Sequence, residues 1–251
     1  MKKKQKFCIV TTARSGSGWL YTLLDSHPQI KAFSEPFIWR KYRPYWTDKQ
    51  FPSYYDFKNS VSKKSLWTLF KYLDILDSYK DEKNFDIIGF KVMYYQIIEN
   101  PELLIKIIFD RYKIVHLVRQ NYLDILISRS ALQQNGLAHS TKTTKETTQV
   151  TLNISSLIKD LSRLERNYKI IRIFLKLIPL PVMEIKYESL VRNRDQVLCL
   201  LADFLGVDSN SITFGSEFKR TNSGGYKDKI ANYNQVVKIL ESSKYANFLS
   251  T

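Results

Sequence analysis

Short apolar runs of strand length alternate along the chain with longer stretches in which apolar residues recur every three or four positions. The strand-like runs lie at residues 7–11, 30–33, 87–92, 113–118 and 182–185. The helix-periodic stretches lie at about 18–26, 64–78, 101–110, 121–134, 151–177 and 189–205. Leu157, Leu161 and Leu164 in one of them, and Val197, Leu200, Leu201 and Phe204 in another, mark core-facing stripes. Strands alternating with helices imply crossover connections, so the expected fold is α/β: a central, mostly parallel sheet flanked by helices. At 251 residues the chain can bury one good core, and a single domain over 1–251 is expected.

Two segments break the rhythm. Residues 37–80 read as an insertion. Within it, Trp39, Tyr42, Tyr45, Trp46, Tyr54 and Tyr55 mix with Arg40, Lys41, Arg43 and Lys49. That mixture suits stacking on sugar faces or an apolar acceptor, and equally a surface subdomain with its own aromatic cluster. Residues 135–149, with the polar run from Ser140 to Thr148, read as a flexible loop, either a lid or a plain connection.

Composition narrows the classes. Apolar residues at 44% and aromatics at 14% exclude general disorder. The most apolar long stretch, 170–183, is interrupted by Arg172, Lys176, Pro179 and Pro181, short of the roughly 18 residues that cross a bilayer. The lysine-rich start precedes a run that is only strand-length, with no small-residue cleavage site, so a cytoplasmic protein is expected. Cys8 and Cys199 lie in apolar surroundings and are expected as buried thiols. His27, His116 and His139 lack ligand spacing, and no metal is expected. The net charge of +15 fits a polyanion, an anionic membrane surface touched peripherally, or a cofactor with several phosphates, and also plain lysine bias. No arginine-rich run or RNP-like strand supports nucleic acid as a partner.

The first strand empties into Thr11-Thr12-Ala13-Arg14-Ser15-Gly16-Ser17-Gly18-Trp19 and then a helix. Backbone N–H groups in such a turn, with the positive end of the helix, form an anion cradle, and Arg14, Ser15 and Ser17 add donors. No Gly-Lys-Ser/Thr closes the loop, which counts against a magnesium-dependent kinase. Arg119 ends another strand, and Ser128 follows nine residues later, with Ser130 as a fallback. In an open parallel sheet, ligands collect at such carboxyl ends. The basic turn Phe218-Lys219-Arg220-Thr221-Asn222-Ser223-Gly224-Gly225-Tyr226-Lys227 is a further candidate anion nest. Glu35, in Ser34-Glu35-Pro36-Phe37, stands at a strand end where a carboxylate could act as general base. Its alternatives are helix capping or pairing with Arg14, and His116 is a rival base. Lys91 ends the third strand, either facing ligand or held in a salt bridge.

Taken together, these motifs resemble the sulfotransferases that use 3′-phosphoadenosine 5′-phosphosulfate (PAPS). The loop at 11–20, Ser-Glu-Pro-Phe at 34–37, Gly-Phe-Lys at 89–91, Arg119 with Ser128, and the basic turn near 219–230 occur in the family's order. Tyr187-Glu188-Ser189-Leu190 and Phe204-Leu205-Gly206 add similarity to a structural stretch. Arg in place of Lys in the loop looks like the carbohydrate and lipooligosaccharide branch. The resemblance implies a P-loop-like sulfotransferase fold and PAPS as donor, released as adenosine 3′,5′-bisphosphate. It assigns the 5′-phosphosulfate to Arg14, Ser15, Gly16, Ser17, Gly18 and Trp19, and the 3′-phosphate end to Arg119, Ser128, Lys219, Arg220 and Lys227. Glu35 becomes the base and Arg14 the electrostatic catalyst, with Glu35, Phe37, Trp39 and Lys91 on the acceptor side. The acceptor implied is a glycan or glycolipid hydroxyl. A P-loop-type phosphotransferase and a noncatalytic polyanion binder are the competing classes.

Overall fold

In the computed structural model all five expected strands form and pair into one sheet. They are β1 (Gln5–Thr11), β2 (Ile30–Phe33), β3 (Ile87–Met93), β4 (Lys113–Val118) and β5 (Val182–Lys186), in the order β2-β3-β1-β4-β5. Every pairing is parallel, with Ile9 opposite both Lys91 and Val115. β3 is buried along its whole length, as expected for a sheet covered on both faces. The structure describes residues 4–38, 51–62, 65–80, 85–135, 149–208, 215 and 225–250.

Eleven helices lie among these residues. α1 (Ser17–Asp25) follows β1; α2 (Tyr54–Ser60) and α3 (Leu66–Asp77) precede β3; α4 (Tyr94–Glu99) and α5 (Glu102–Phe109) lead into β4. α6 (Tyr122–Asn135) and α7 (Leu157–Leu177) separate β4 from β5, and α8 (Tyr187–Arg192) and α9 (Arg194–Leu205) follow it. α10 (Tyr226–Lys229), α11 (Tyr233–Glu241) and a 3₁₀ turn (Ala246–Ser250) come last.

The chain divides into two compact units. The first, Met1–Val118 with Phe174–Ser216, holds the sheet. Phe7, Ile9, Val115 and Leu117 pack there with Leu20, Leu23 and Leu24 of α1 and Leu198, Leu201 and Leu205 of α9. Strand alternation sends Phe90 to the opposite face, where its ring meets Phe37 and Tyr112. The second unit, Arg119–Ile173 with Glu217–Thr251, has its own core. Leu157, Leu161 and Leu164 of α7 pack there with Leu123, Val236, Leu240 and Tyr245.

Several sequence expectations are corrected. α7 begins at Leu157 rather than 151, because Val150 bridges Ile230 and the Asn232 side chain bonds both backbone groups of Leu152. The expected helix over 189–205 is two helices, broken at Asn193, whose φ of −129° and ψ of 52° leave the helical region. In α9 the buried positions are Leu198, Leu201, Ala202 and Leu205, so Leu200 and Cys199 face outward. Cys199 is therefore an exposed thiol, whereas Cys8 is buried and burial pushes its thiol up. No described helix is long and apolar enough to cross a membrane.

Candidate active site

The chain leaves β1 through a turn whose backbone is set by two positive φ angles, Arg14 at 71° and Gly16 at 88°. Left-handed backbone is costly for arginine and free for glycine, so the turn is held in place by what surrounds it. Thr11 Oγ1 donates to the Leu117 carbonyl at 2.8 Å and meets Ser15 Oγ at 2.6 Å, tying the loop to the end of β4. Ser15 is fully buried, so its hydroxyl belongs to this bracket rather than to an open cradle.

Gly16 occupies the N-cap position of α1, and no side chain caps that helix. The Trp19 N–H turns back to the Gly16 carbonyl, and the Ser17 and Gly18 N–H groups with the positive end of the helix dipole are left for an anion. A Cβ at position 16 would lie 2.3 Å from two ring carbons of Tyr187, so glycine is required sterically as well as for its φ. The Tyr187 ring meets the half-buried Trp19 edge-on, at 6.3 Å between centroids. Ser17 is buried at the start of α1, and Gly18 lies in its first turn.

β3 lies beside β1 in the sheet and β2 lies beyond β3, all parallel, so their carboxyl ends share one edge of the sheet with that of β1. There Lys91 Nζ pairs with Glu35 Oε1 at 2.8 Å, with side chains 4% and 14% exposed respectively. Of the two alternatives for Lys91, the structure shows the salt bridge, and its partner is the predicted base. The Glu35-Pro36-Phe37 turn is anchored by a residue that sequence reasoning missed. Gln96, fully buried in α4, accepts from the Met93 N–H and donates to the Phe37 carbonyl, both at 2.8 Å. It also reaches the Tyr95 hydroxyl at 3.3 Å. A glutamine three residues after a strand end, capping its own helix, is the only signal that could have flagged it.

Phe37 itself is buried, its ring 5.4–5.9 Å from those of Tyr54, Tyr72 and Phe90. It is therefore a core residue and not a face open to an acceptor. His116 is also buried: Tyr94 Oη lies 2.7 Å from Nε2, and Glu184 Oε2 lies 3.3 Å from Nδ1. A carboxylate only accepts, so Nδ1 carries hydrogen, and Nε2 shares a hydrogen bond with the Tyr94 hydroxyl. Both ring nitrogens are engaged, which removes His116 as rival base.

In the second unit, Arg119 Nη2 donates to Asp124 Oδ2 at 2.8 Å, and Tyr226 Oη donates to Asp124 Oδ1 at 3.2 Å. Asn121 donates to Tyr226 Oη at 2.8 Å and accepts from the Leu123 N–H. Asp124 thus aims the guanidinium from the first turn of α6, and Ser128 lies one turn further along the same face. Lys227 is exposed in α10, where its carbonyl accepts from Gln149. Trp39, Lys219 and Arg220, most of the 37–55 aromatic segment and nearly all of 135–149 lie outside the described residues.

The described residues contain one acidic triad that could hold a metal ion, Asp74, Asp77 and Asp110. Lysine ammonium groups already fill it: Lys6 pairs with Asp77 and Asp110, and Lys106 with Asp74 and Asp110, at 2.5–3.0 Å. Burial raises Asp77 above the usual carboxylate range. For Asp110, hydrogen bonds from Lys6 and Lys106 outweigh burial and lower it.

Compared with known proteins, residues 7–211 match the family model described as "Sulfotransferase family". Among solved structures, a sulfotransferase from Alicyclobacillus acidocaldarius aligns with a TM-score of 0.51 and 16% identity, over 87% of each chain. The sulfotransferase domain of the Synechococcus PCC 7002 olefin synthase aligns at 0.45 and 18%, over 94% of this chain and 84% of that one. Mouse sulfotransferase SULT7A1, complexed with PAP, aligns at 0.43 and 14%, over 99% and 75%. No curated protein sequence matches.

Proposed function

Because the chain belongs to the sulfotransferase family, we propose that it moves a sulfuryl group from PAPS to a hydroxyl of a glycan or glycolipid. The observation that carries this reading is the Glu35–Lys91 pair toward the same sheet edge that carries the uncapped, glycine-opened turn after β1. An anion cradle beside a carboxylate is what transfer of a charged group to a hydroxyl requires.

The residues present suit a nucleotide that bears a 5′-phosphosulfate. The left-handed turn at Arg14 and Gly16 and the uncapped start of α1 supply N–H donors, and Arg14 supplies a permanent cation. The donor, when bound, brings sulfur already joined to a good leaving group, the 5′-phosphate. Glu35 takes the acceptor's hydroxyl proton as that oxygen bonds to sulfur and the bond from sulfur to the phosphate oxygen breaks. Lys91 fixes the orientation of the Glu35 carboxylate. Arg14 and the first-turn amides stabilise negative charge growing on the leaving oxygen, and being preorganised they need little reorganisation as it appears. From the second unit, Arg119, aimed by Asp124, and Ser128 are assigned the 3′-phosphate, with Lys227, Lys219 and Arg220. Ser15 contributes through its backbone, since its hydroxyl is held by Thr11.

The test is transfer of labelled sulfate from PAPS to a panel of hydroxylated glycans and glycolipids. Glu35→Gln should lower transfer by about 10²–10⁴-fold while binding of adenosine 3′,5′-bisphosphate is unchanged. Normal turnover by that variant would show that Glu35 is not the base. Transfer by the wild type to phenols or sterols alone would overturn the acceptor class.

A further inference from the structure

The second half of α7 presents a surface that neither the fold nor the proposed chemistry uses. Ile170, Ile173 and Leu177 are 56%, 62% and 77% exposed. At about 100° per residue they fall within an arc of roughly 60°. Ile171 and Leu175, on another side of the helix, are buried. Lys169, Arg172 and Lys176, all exposed, occupy the neighbouring arc of about 60°. No acidic residue occurs between Glu165 and Glu184. Glu165 is shared by Lys169 and Lys244, and Arg172 lies over the Tyr168 ring, so the face keeps a positive balance.

From this arrangement we infer that the C-terminal half of α7 docks on an anionic lipid surface, its aliphatic stripe entering the interface and its cations meeting the headgroups. Apolar and cationic arcs side by side on one helix are the pattern of an element lying in a membrane interface. A polyanion in water would engage the cations yet leave three large aliphatic side chains solvated. A second copy of the chain, its α7 packed antiparallel about a two-fold axis, would bring the cationic row against itself. Charge complementarity therefore favours lipid. The inference is independent of the sulfuryl-transfer reading.

The test is co-sedimentation of the full chain with vesicles of phosphatidylcholine alone and of equimolar phosphatidylcholine and phosphatidylglycerol. The wild type should bind the mixed vesicles and not the neutral ones, less tightly as salt rises. Replacing Ile170, Ile173 and Leu177 with serine should weaken binding at least tenfold with no loss of folding, since all three are exposed. Lys169→Gln, Arg172→Gln and Lys176→Gln together should remove the preference for phosphatidylglycerol, at about fivefold per charge. Failure of the wild type to bind either vesicle would overturn the inference. So would vesicle binding that the serine variant retains in full, which would mark a purely electrostatic surface. A dimer that those serines convert to monomer, with no vesicle binding, would assign the face to a second copy and also overturn it.

Discussion

Gly16→Ala tests the architecture of the anion turn most sharply, because two independent constraints meet at that position. A φ of 88° places an alanine in left-handed backbone, at a cost of roughly 1–2 kcal/mol. The new methyl would also sit 2.3 Å from two carbons of the Tyr187 ring, which must shift, and overpacking of this kind costs about 1–3 kcal/mol. The expected loss is about 2–5 kcal/mol, a large share of the 5–15 kcal/mol that typically holds a domain. In urea, with a slope of about 2–3 kcal/mol per molar, the midpoint should fall by about 1 M or more. The two parts separate in a double-mutant cycle with Tyr187→Ala. Removing the ring abolishes the clash but not the strain, so the coupling should be about 1–3 kcal/mol. A midpoint for Gly16→Ala equal to wild type would refute the turn geometry. Strict additivity would refute the contact with Tyr187.

Three further changes probe the surroundings of the site and the acid stability of the fold. Lys91→Met strands the largely buried Glu35 carboxylate and should cost about 3–5 kcal/mol by urea unfolding; adding Glu35→Gln should recover part of that loss. Gln96→Leu orphans the Met93 N–H and the Phe37 carbonyl at about 1–3 kcal/mol each. It should lower kcat more than it raises KM, because Glu35 rides on the same turn. The Glu165 carboxyl is held at about 2 by hydrogen bonds from Lys169, Lys244 and Tyr245, against an ordinary 4.5. Its folded value is depressed, so its stabilisation is present above pH 4.5 and lost as pH falls toward 2. Glu165→Gln should flatten the drop in unfolding midpoint across that window, and an unchanged drop would count against the pairing.

The sheet was legible because strands buried on both faces read as short apolar runs between turn signals, and all five appear where those runs lie. α1, α3, α5, α6 and α7 were legible from their apolar stripes. α2 and α4, at seven and six residues, are too short to show periodicity, and they owe their form to capping by Ser53 and Gln96. Cys199 was misplaced because the apolar run around it supports two helical registers, and packing selects the one with Leu198 and Leu201 inward. At the site, the loop, Glu35, Lys91 and Arg119 were visible as residue types at strand ends. Their partners were not: that Lys91 meets Glu35 depends on β2 and β3 becoming neighbours, and that Asp124 aims Arg119 and Thr11 captures the Ser15 hydroxyl, five and four residues away, depends on how the chain turns after each strand. Phe37 shows the converse, since an aromatic beside a base reads as a substrate face until the rings of Tyr54 and Tyr72 close over it.

Whether the protein binds a nucleotide with phosphates at both the 3′ and 5′ positions is decided by calorimetric titration of the full chain. Adenosine 3′,5′-bisphosphate, 5′-AMP and magnesium ATP would be compared with and without a chelator. Binding should require the 3′-phosphate, ignore the chelator and weaken with Arg119→Ala. Preference for magnesium ATP, or equal binding of 5′-AMP, would contradict this and point to a different phosphate chemistry.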